Sequence, residues 1–102
     1  MHQQAQETGA LIESWKSLPP EAVAVDGRWI GAGYGSPTEA MTTVLRLVAA
    51  TEGIILDPVY TGKAFAGLLG NITEGRFRAD ENVVFLHTGG TAALFAYRAS
   101  LA

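Results

Sequence analysis

The sequence predicts an α/β fold in which helices pack on short parallel strands, and three observations support this prediction. Hydrophobic residues make up 48% of the 102 residues and charged residues 17%, which indicates a packed core rather than disorder. Apolar residues recur at helical spacing in segments that end at proline or glycine. The run Val83–Leu86 is continuously apolar, as in a strand that is buried on both faces.

Three segments have the pattern of helices. The first runs from about His2 to Leu18 and stops at Pro19-Pro20, because proline lacks an N–H donor and disfavours helix in the residue before it. The second begins with a capping box, Ser36–Glu39, in which the Ser36 hydroxyl is expected to accept from the Glu39 N–H. It ends at Gly53, since glycine is the usual left-handed cap. The third covers Gly62–Thr73.

Short strands are expected between these helices, at residues 22–25, 54–56 and 83–86, and a last helical turn or two is expected over Ala92–Tyr97. Two or three short strands are too few for an independent, doubly covered sheet. Residues 1–102 are therefore either one small α/β domain with an apolar interface or a partial domain of something larger.

Composition excludes several functional classes. The net charge of −3 argues against a nucleic-acid partner, because phosphate neutralisation needs a basic patch. The chain has no cysteine, and its two histidines, His2 and His87, are not at ligand spacing, so no metal site is predicted. No apolar stretch approaches the roughly 18–20 residues of a membrane helix, and the polar start is unlike a secretory signal. A cytoplasmic location is therefore the default expectation.

Three local motifs contain residues that are suited to ligand binding or catalysis. His87–Thr91 is a glycine turn between a strand and a helix, which suits either a bare structural turn or a cradle for an anion or cofactor. The Gly31–Gly35 loop lacks the spacing of a dinucleotide fingerprint and is expected to present Tyr34. In Asp57–Lys63 a proline-fixed loop enters a helix at Thr61, which places a phenol and a hydroxyl at the helix mouth. Lys63 itself is expected to be solvent-exposed, although a cation is slightly disfavoured in a first helical turn.

Three blocks carry a resemblance to a known family. Glu52–Gly67, Val84–Tyr97 and Gly33–Pro37 resemble the carboxyl-terminal blocks of the D-cysteine desulfhydrase and 1-aminocyclopropane-1-carboxylate (ACC) deaminase family, in the same order and with the same spacing. The resemblance implies the carboxyl-terminal portion of a tryptophan synthase β-like (fold type II) α/β enzyme that binds pyridoxal 5'-phosphate. It also implies a small amino-acid substrate and a homodimer for the complete enzyme.

The resemblance implies roles for individual residues. Tyr34 and Tyr60 match active-site tyrosines that orient substrate or handle protons. Thr61 stands where the deaminases have a glutamate facing the pyridine nitrogen, and Thr88 where they have a leucine. Two threonines are the pattern of the D-cysteine desulfhydrase branch.

The glycines Gly89 and Gly90 would let the backbone approach the cofactor closely. The implied reaction converts D-cysteine to pyruvate, sulfide and ammonia. An ACC deaminase-like reaction and a cysteate sulfo-lyase-like reaction are the alternatives within the family.

The resemblance also has a gap. The family's Schiff-base lysine lies in an amino-terminal Gly-Gly-Asn-Lys block that this sequence does not contain, and Lys63 belongs to another block. We therefore expect the isolated chain to lack catalytic activity. The alternative from another class is a non-catalytic α/β module that binds a small anion or a protein partner.

Overall fold

The fold is built from two packed helices and from a segment, residues 82–90, that is neither helix nor strand. The computed structural model describes residues 3–4, 7–8 and 19–102, so most of the predicted first helix lies outside the described residues. Residues 3–4 and 7–8 are helical. Within residues 19–102, two long helices and one short helix are joined by loops and 3₁₀ turns: α1 (Glu39–Glu52), α2 (Thr61–Thr73) and α3 (Arg98–Leu101), with 3₁₀ turns at Pro20–Ala22, Gly27–Trp29 and Thr91–Phe95. No helix in this part of the chain is both long and apolar enough to cross a membrane.

Helix α1 begins later than the sequence predicts. Thr38, not Ser36, is its cap: Thr38 has extended dihedrals and its hydroxyl accepts the Met41 N–H at 3.1 Å. The predicted end is confirmed, because Gly53 caps the helix at φ 66° in the left-handed region. The buried face of α1 supplies most of the core: Met41, Val44, Leu45 and Val48.

Helix α2 packs against α1 and adds Ala66 to the core cluster, and Leu56, in the loop before α2, joins the same cluster. Its outer surface has a notch at Gly67 and Gly70 that receives the indole of Trp29. A Cβ at Gly70 would lie 2.1 Å from the ring of Trp29, and one at Gly67 would lie 3.0 Å from it. The two glycines therefore let the 3₁₀ turn Gly27–Trp29 lie directly on α2.

The predicted strands do not form in the described residues. No segment within 19–102 is assigned to a strand, and Ala22 belongs to a 3₁₀ turn. No backbone–backbone hydrogen bond joins Asn82–Leu86 to another described segment. The reason is physical: a strand is stabilised only by pairing with another strand, and residues 19–102 offer none.

The run Val83–Leu86 is also not buried on both faces. Only Phe85 packs inward, with its ring centroid 4.9 Å from that of Phe65 on α2. Val84 is 90% exposed and Leu86 is 77% exposed. The predicted helical turn over Ala92–Tyr97 is present as the 3₁₀ turn Thr91–Phe95.

Candidate active site

A buried carboxylate organises the entrance of α2. Asp57 is fully buried, and its Oδ2 accepts the N–H groups of Val59 and Tyr60, both at 2.8 Å. Its Oδ1 accepts the N–H and the hydroxyl of Thr61, both at 2.6 Å. Burial raises the pKa of Asp57, but the hydrogen bonds from the Thr61 side chain and the three N–H groups outweigh burial, so the pKa lies below its ordinary value.

This arrangement fixes what the Thr61 hydroxyl can do. The hydroxyl donates its one proton to Asp57 and accepts the Asp57 N–H at 2.8 Å. A hydroxyl has two acceptor lone pairs, so the one that remains can only accept. Thr61 is buried, and the site therefore offers an acceptor, not a donor.

The glycine loop lies against the same carboxylate. Gly90 has φ 90°, and a Cβ built on it would be 2.9 Å from Asp57 Cγ. His87 Nδ1 accepts the Gly89 N–H at 3.1 Å, and His87 Nε2 pairs with the Ile55 carbonyl at 2.9 Å. The structure thus brings Gly90 beside the group that binds Thr61, whereas the side chain of Thr88 stays exposed.

The two predicted catalytic tyrosines meet. Tyr60 immediately precedes α2, Tyr34 stands in the Gly31–Gly35 loop, and their hydroxyls are hydrogen-bonded to each other. The rings are edge-to-face, with centroids 5.9 Å apart. The hydrogen bond with Tyr34 raises the pKa of Tyr60, and desolvation adds to the effect. Tyr60 is half-exposed, so the pair stands at a surface.

Two residues that hold the Tyr34 loop were not among the predicted site residues. The Tyr97 hydroxyl donates to the Gly35 carbonyl at 2.6 Å. Lys63 donates to the carbonyls of Ile30 at 2.6 Å and Gly33 at 3.1 Å. The prediction that Lys63 is solvent-exposed is wrong: only 8% of it is exposed. The one sequence signal was its electrostatically poor place in a first helical turn, and Tyr97 had none.

A cavity of about 580 Å³ opens beside the tyrosine pair. Its walls are mainly apolar, and Lys63, Asp26 and Asn71 supply polar atoms. Hydrogen bonds from Arg28, and then from Asn71, hold the pKa of Asp26 well below its ordinary range. Thr61 and the glycine loop do not line this cavity, so the tyrosines and the predicted cofactor residues form two adjacent groups that meet at Tyr60-Thr61. In the described residues, no cluster of three or more His, Cys, Asp or Glu side chains could hold a metal ion.

Comparison with known proteins gives a consistent set of relatives. No protein-family model matches the chain. D-cysteine desulfhydrase of Klebsiella pneumoniae (strain 342) is 51% identical over 73 residues, which are 72% of this chain and 22% of the relative. D-cysteine desulfhydrase of Salmonella newport (strain SL254) is 51% identical over 69 residues, which are 68% of this chain and 21% of the relative. The chain thus spans about a fifth of the length of these relatives.

A solved structure is similar as well. The crystal structure of a protein described as an ACC deaminase homologue superimposes with a TM-score of 0.66 at 40% identity. The match covers 78% of this chain and 26% of that protein. At 40% identity, the similarity to this protein is one of sequence as well as of fold.

Proposed function

Because the matched part of this chain belongs to the D-cysteine desulfhydrase and ACC deaminase family, we propose that it forms one wall of the active site of a D-cysteine desulfhydrase-like lyase. The complete enzyme would convert D-cysteine to pyruvate, sulfide and ammonia. The observation that carries the proposal is the hydrogen-bonded pair Tyr34–Tyr60 next to the buried hydroxyl of Thr61. Two relatives with this name, both 51% identical over the matched part, favour D-cysteine over ACC as the substrate.

The residues fit the pyridine end of pyridoxal 5'-phosphate. When bound, this cofactor withdraws electrons from the substrate's α-carbon. The free lone pair of Thr61 is suited to accept from a protonated pyridine nitrogen, and Gly90, which has no Cβ, lets the glycine loop lie directly against Asp57, the carboxylate that binds Thr61. A neutral hydroxyl favours the protonated ring less strongly than a glutamate would, which suits loss of a good leaving group such as a thiolate.

The tyrosines would act on the substrate side. The raised pKa of Tyr60 means that its hydroxyl keeps its proton at neutral pH. Tyr60 is therefore a hydrogen-bond or proton donor to sulfur as the C–S bond breaks, rather than a base. Tyr34 would fix the direction in which that proton points.

The proposal also includes the strand that the sequence predicts at residues 83–86. Asn82–Leu86 is neither helix nor strand, has no backbone–backbone hydrogen bonds with other described residues, and exposes Val84 and Leu86. We expect it to become a strand of a parallel sheet when the rest of an α/β enzyme is present. Homodimer formation remains a prediction from the family resemblance, and a cytoplasmic location remains the default expectation.

The isolated chain is expected to be inactive. A covalent link to the cofactor needs a free lysine amine. Of the two lysines in the sequence, Lys16 lies outside the three blocks that resemble the family, and the Lys63 amine is buried and already bonded to two carbonyls. The linking lysine would come from the part of the enzyme that these residues do not represent.

A joined enzyme tests the proposal. Residues 30–97 would replace the matching part of the Klebsiella pneumoniae enzyme, and pyruvate release would be measured with D-cysteine, ACC and cysteate, with the isolated chain as control. We expect turnover of D-cysteine by the joined enzyme only, and a loss of roughly 10²–10⁴-fold in Tyr60→Phe. A joined enzyme that binds the cofactor but prefers ACC or cysteate would contradict the substrate assignment. Unaltered turnover in Tyr60→Phe would contradict the role of the pair.

A further inference from the structure

Lys63 is buried at a position that is energetically unfavourable for a cation, and the proposed chemistry does not explain why. Only 8% of it is exposed, and none of the ion pairs in the described residues involves it. Burying a charge without a counter-charge is unfavourable, and a cation in the first turn of a helix opposes the helix dipole. Both penalties fall on one side chain, so its compensation must come from the carbonyls that it binds.

Those carbonyls belong to the segment that carries Tyr34. The Lys63 Nζ donates to Ile30 at 2.6 Å and to Gly33 at 3.1 Å, so it bridges the start and the middle of the loop. The loop has left-handed glycines at Gly31 (φ 73°) and Gly35 (φ 70°). A glycine-rich backbone loses much conformational entropy when it is ordered, so the loop needs external contacts to adopt one shape.

We propose that Lys63 is a positioning residue that holds the Gly31–Gly35 loop so that the Tyr34 hydroxyl meets the Tyr60 hydroxyl. Lys63 and Tyr60 stand at the start of the same helix, so the ammonium and the phenol are fixed to one rigid body. Lys63 reaches the loop before Tyr34, and the Tyr97 hydroxyl binds the carbonyl of Gly35 immediately after it. The two contacts therefore flank Tyr34 along the chain.

The inference rests on the proposed function only for its effect on catalysis, because the loop contact itself is independent of any cofactor. Titration of the tyrosines in the 102-residue chain therefore tests it directly, by NMR of ¹³Cζ-labelled tyrosine. The chain has three tyrosines, so Tyr34→Phe and Tyr97→Phe assign the Tyr60 signal.

Lys63→Met separates two effects of opposite sign. If Lys63 holds the loop, the Tyr34 hydrogen bond weakens in the variant and the pKa of Tyr60 falls toward its ordinary value of about 10. If Lys63 acted only through its charge, loss of a nearby cation would raise the pKa of Tyr60. A rise or no change in Lys63→Met overturns the proposal. In a Tyr34→Phe background, Lys63→Met is expected to cause no further fall.

Arg46→Met is the matched control, because Arg46 also donates to backbone carbonyls, those of Leu101 and Ala102, which are not part of the Gly31–Gly35 loop. It is expected to leave the Tyr60 titration unchanged, and an equal fall there would overturn the proposal. Lys63→Arg keeps N–H donors at the position and is expected to restore the wild-type titration. Should Lys63→Met not fold, Lys63→Gln, which is too short to span both carbonyls, replaces it with the same expected fall.

The joined enzyme gives a second, kinetic readout. Lys63→Met is expected to lower kcat by about the same factor as Tyr34→Phe, and the double variant by no more than either alone. If the loss of kcat in the double variant equalled the product of the two single losses, Lys63 would act independently of Tyr34, and the proposal would be overturned. A joined enzyme without any activity would defeat the proposed function but leave the titration result standing.

Discussion

The buried charged residues Asp57 and Lys63 are stabilised mainly by hydrogen bonds with backbone groups, not by a partner of opposite charge. Asp57 binds three N–H groups and a hydroxyl, and Lys63 binds two carbonyls. Each charge therefore fixes the path of a loop, the Pro58–Tyr60 turn in one case and the Gly31–Gly35 loop in the other. Because each loop carries one tyrosine, the pair depends on both charges.

Asp57→Ala is expected to destabilise the chain by about 2–4 kcal/mol, because it removes a helix cap and leaves several N–H groups unpaired. Urea unfolding followed by circular dichroism measures the loss. Asp80→Ala is the control: Asp80 binds the exposed Arg78, so its removal is expected to change the free energy of unfolding far less. Equal losses in the two variants would rule out the special role of Asp57.

Low pH is expected to lower the free energy of unfolding by protonating Asp57. Since hydrogen bonds lower the folded-state pKa of Asp57, its contribution is complete above the unfolded value of about 3.9 and is lost as the pH falls through the lower folded value. The stability difference between wild type and Asp57→Asn should be constant near neutral pH and shrink on acidification below about pH 4. A difference that grows in acid would contradict this sign.

At the scale of elements, the contact between the 3₁₀ turn Gly27–Trp29 and α2 shapes the cavity. The indole of Trp29 lies in the notch at Gly67 and Gly70 and lines the cavity wall. Arg28 ties the same turn to the end of α2 through Glu74 at 2.7 Å. The ion pair is exposed and contributes little, so packing on the glycines sets the position of the turn.

Gly70→Ala is expected to push Trp29 out of the notch, because the new Cβ would lie 2.1 Å from a ring that cannot bend. We expect a loss of about 1–3 kcal/mol despite the better helix propensity of alanine, with a red shift of tryptophan emission. Gly27→Ala is the matched control, since its Cβ would meet Ile30 at an ordinary 3.7 Å. Unshifted emission in Gly70→Ala would show that the notch does not position the ring.

At the scale of the whole molecule, the chain has a small core and a wide exposed apolar surface. The core is formed by α1, α2 and Leu56, whereas Val84, Leu86 and Phe95 are all more than three-quarters exposed. Such a surface is typical of a face that another segment covers. This exposed surface agrees with the comparison, in which the matched residues cover only 22% of the Klebsiella pneumoniae enzyme.

Val84→Glu should therefore have two different effects. In the isolated chain, where Val84 is 90% exposed, the free energy of unfolding is expected to change by no more than about 0.5 kcal/mol. In the joined enzyme the same charge would enter a covered sheet, and pyruvate release should be lost. Asn82→Asp, which places a charge at the start of the segment, is the control and should keep activity. Full activity in Val84→Glu would refute the proposed strand.

Local signals predicted the helices, and non-local contacts account for most of the differences. The extent of α2 and the left-handed cap at Gly53 follow from neighbouring residues, so the sequence shows them. The strands depend on partners that residues 19–102 do not supply. Tyr60 and Thr61 are adjacent in sequence, and their placement was predictable, but the burial of Lys63 depends on carbonyls some 30 residues away.

The place of Trp29 has a practical consequence. Its indole lies on the cavity wall with Nε1 bonded to Asp26 at 3.1 Å, so any molecule that enters the cavity changes the polarity around the ring. The sequence has only two tryptophans, and Trp15→Phe would leave Trp29 as the only tryptophan. The chain thus carries its own optical sensor, and small amino acids could be screened against it by intrinsic fluorescence without any added dye.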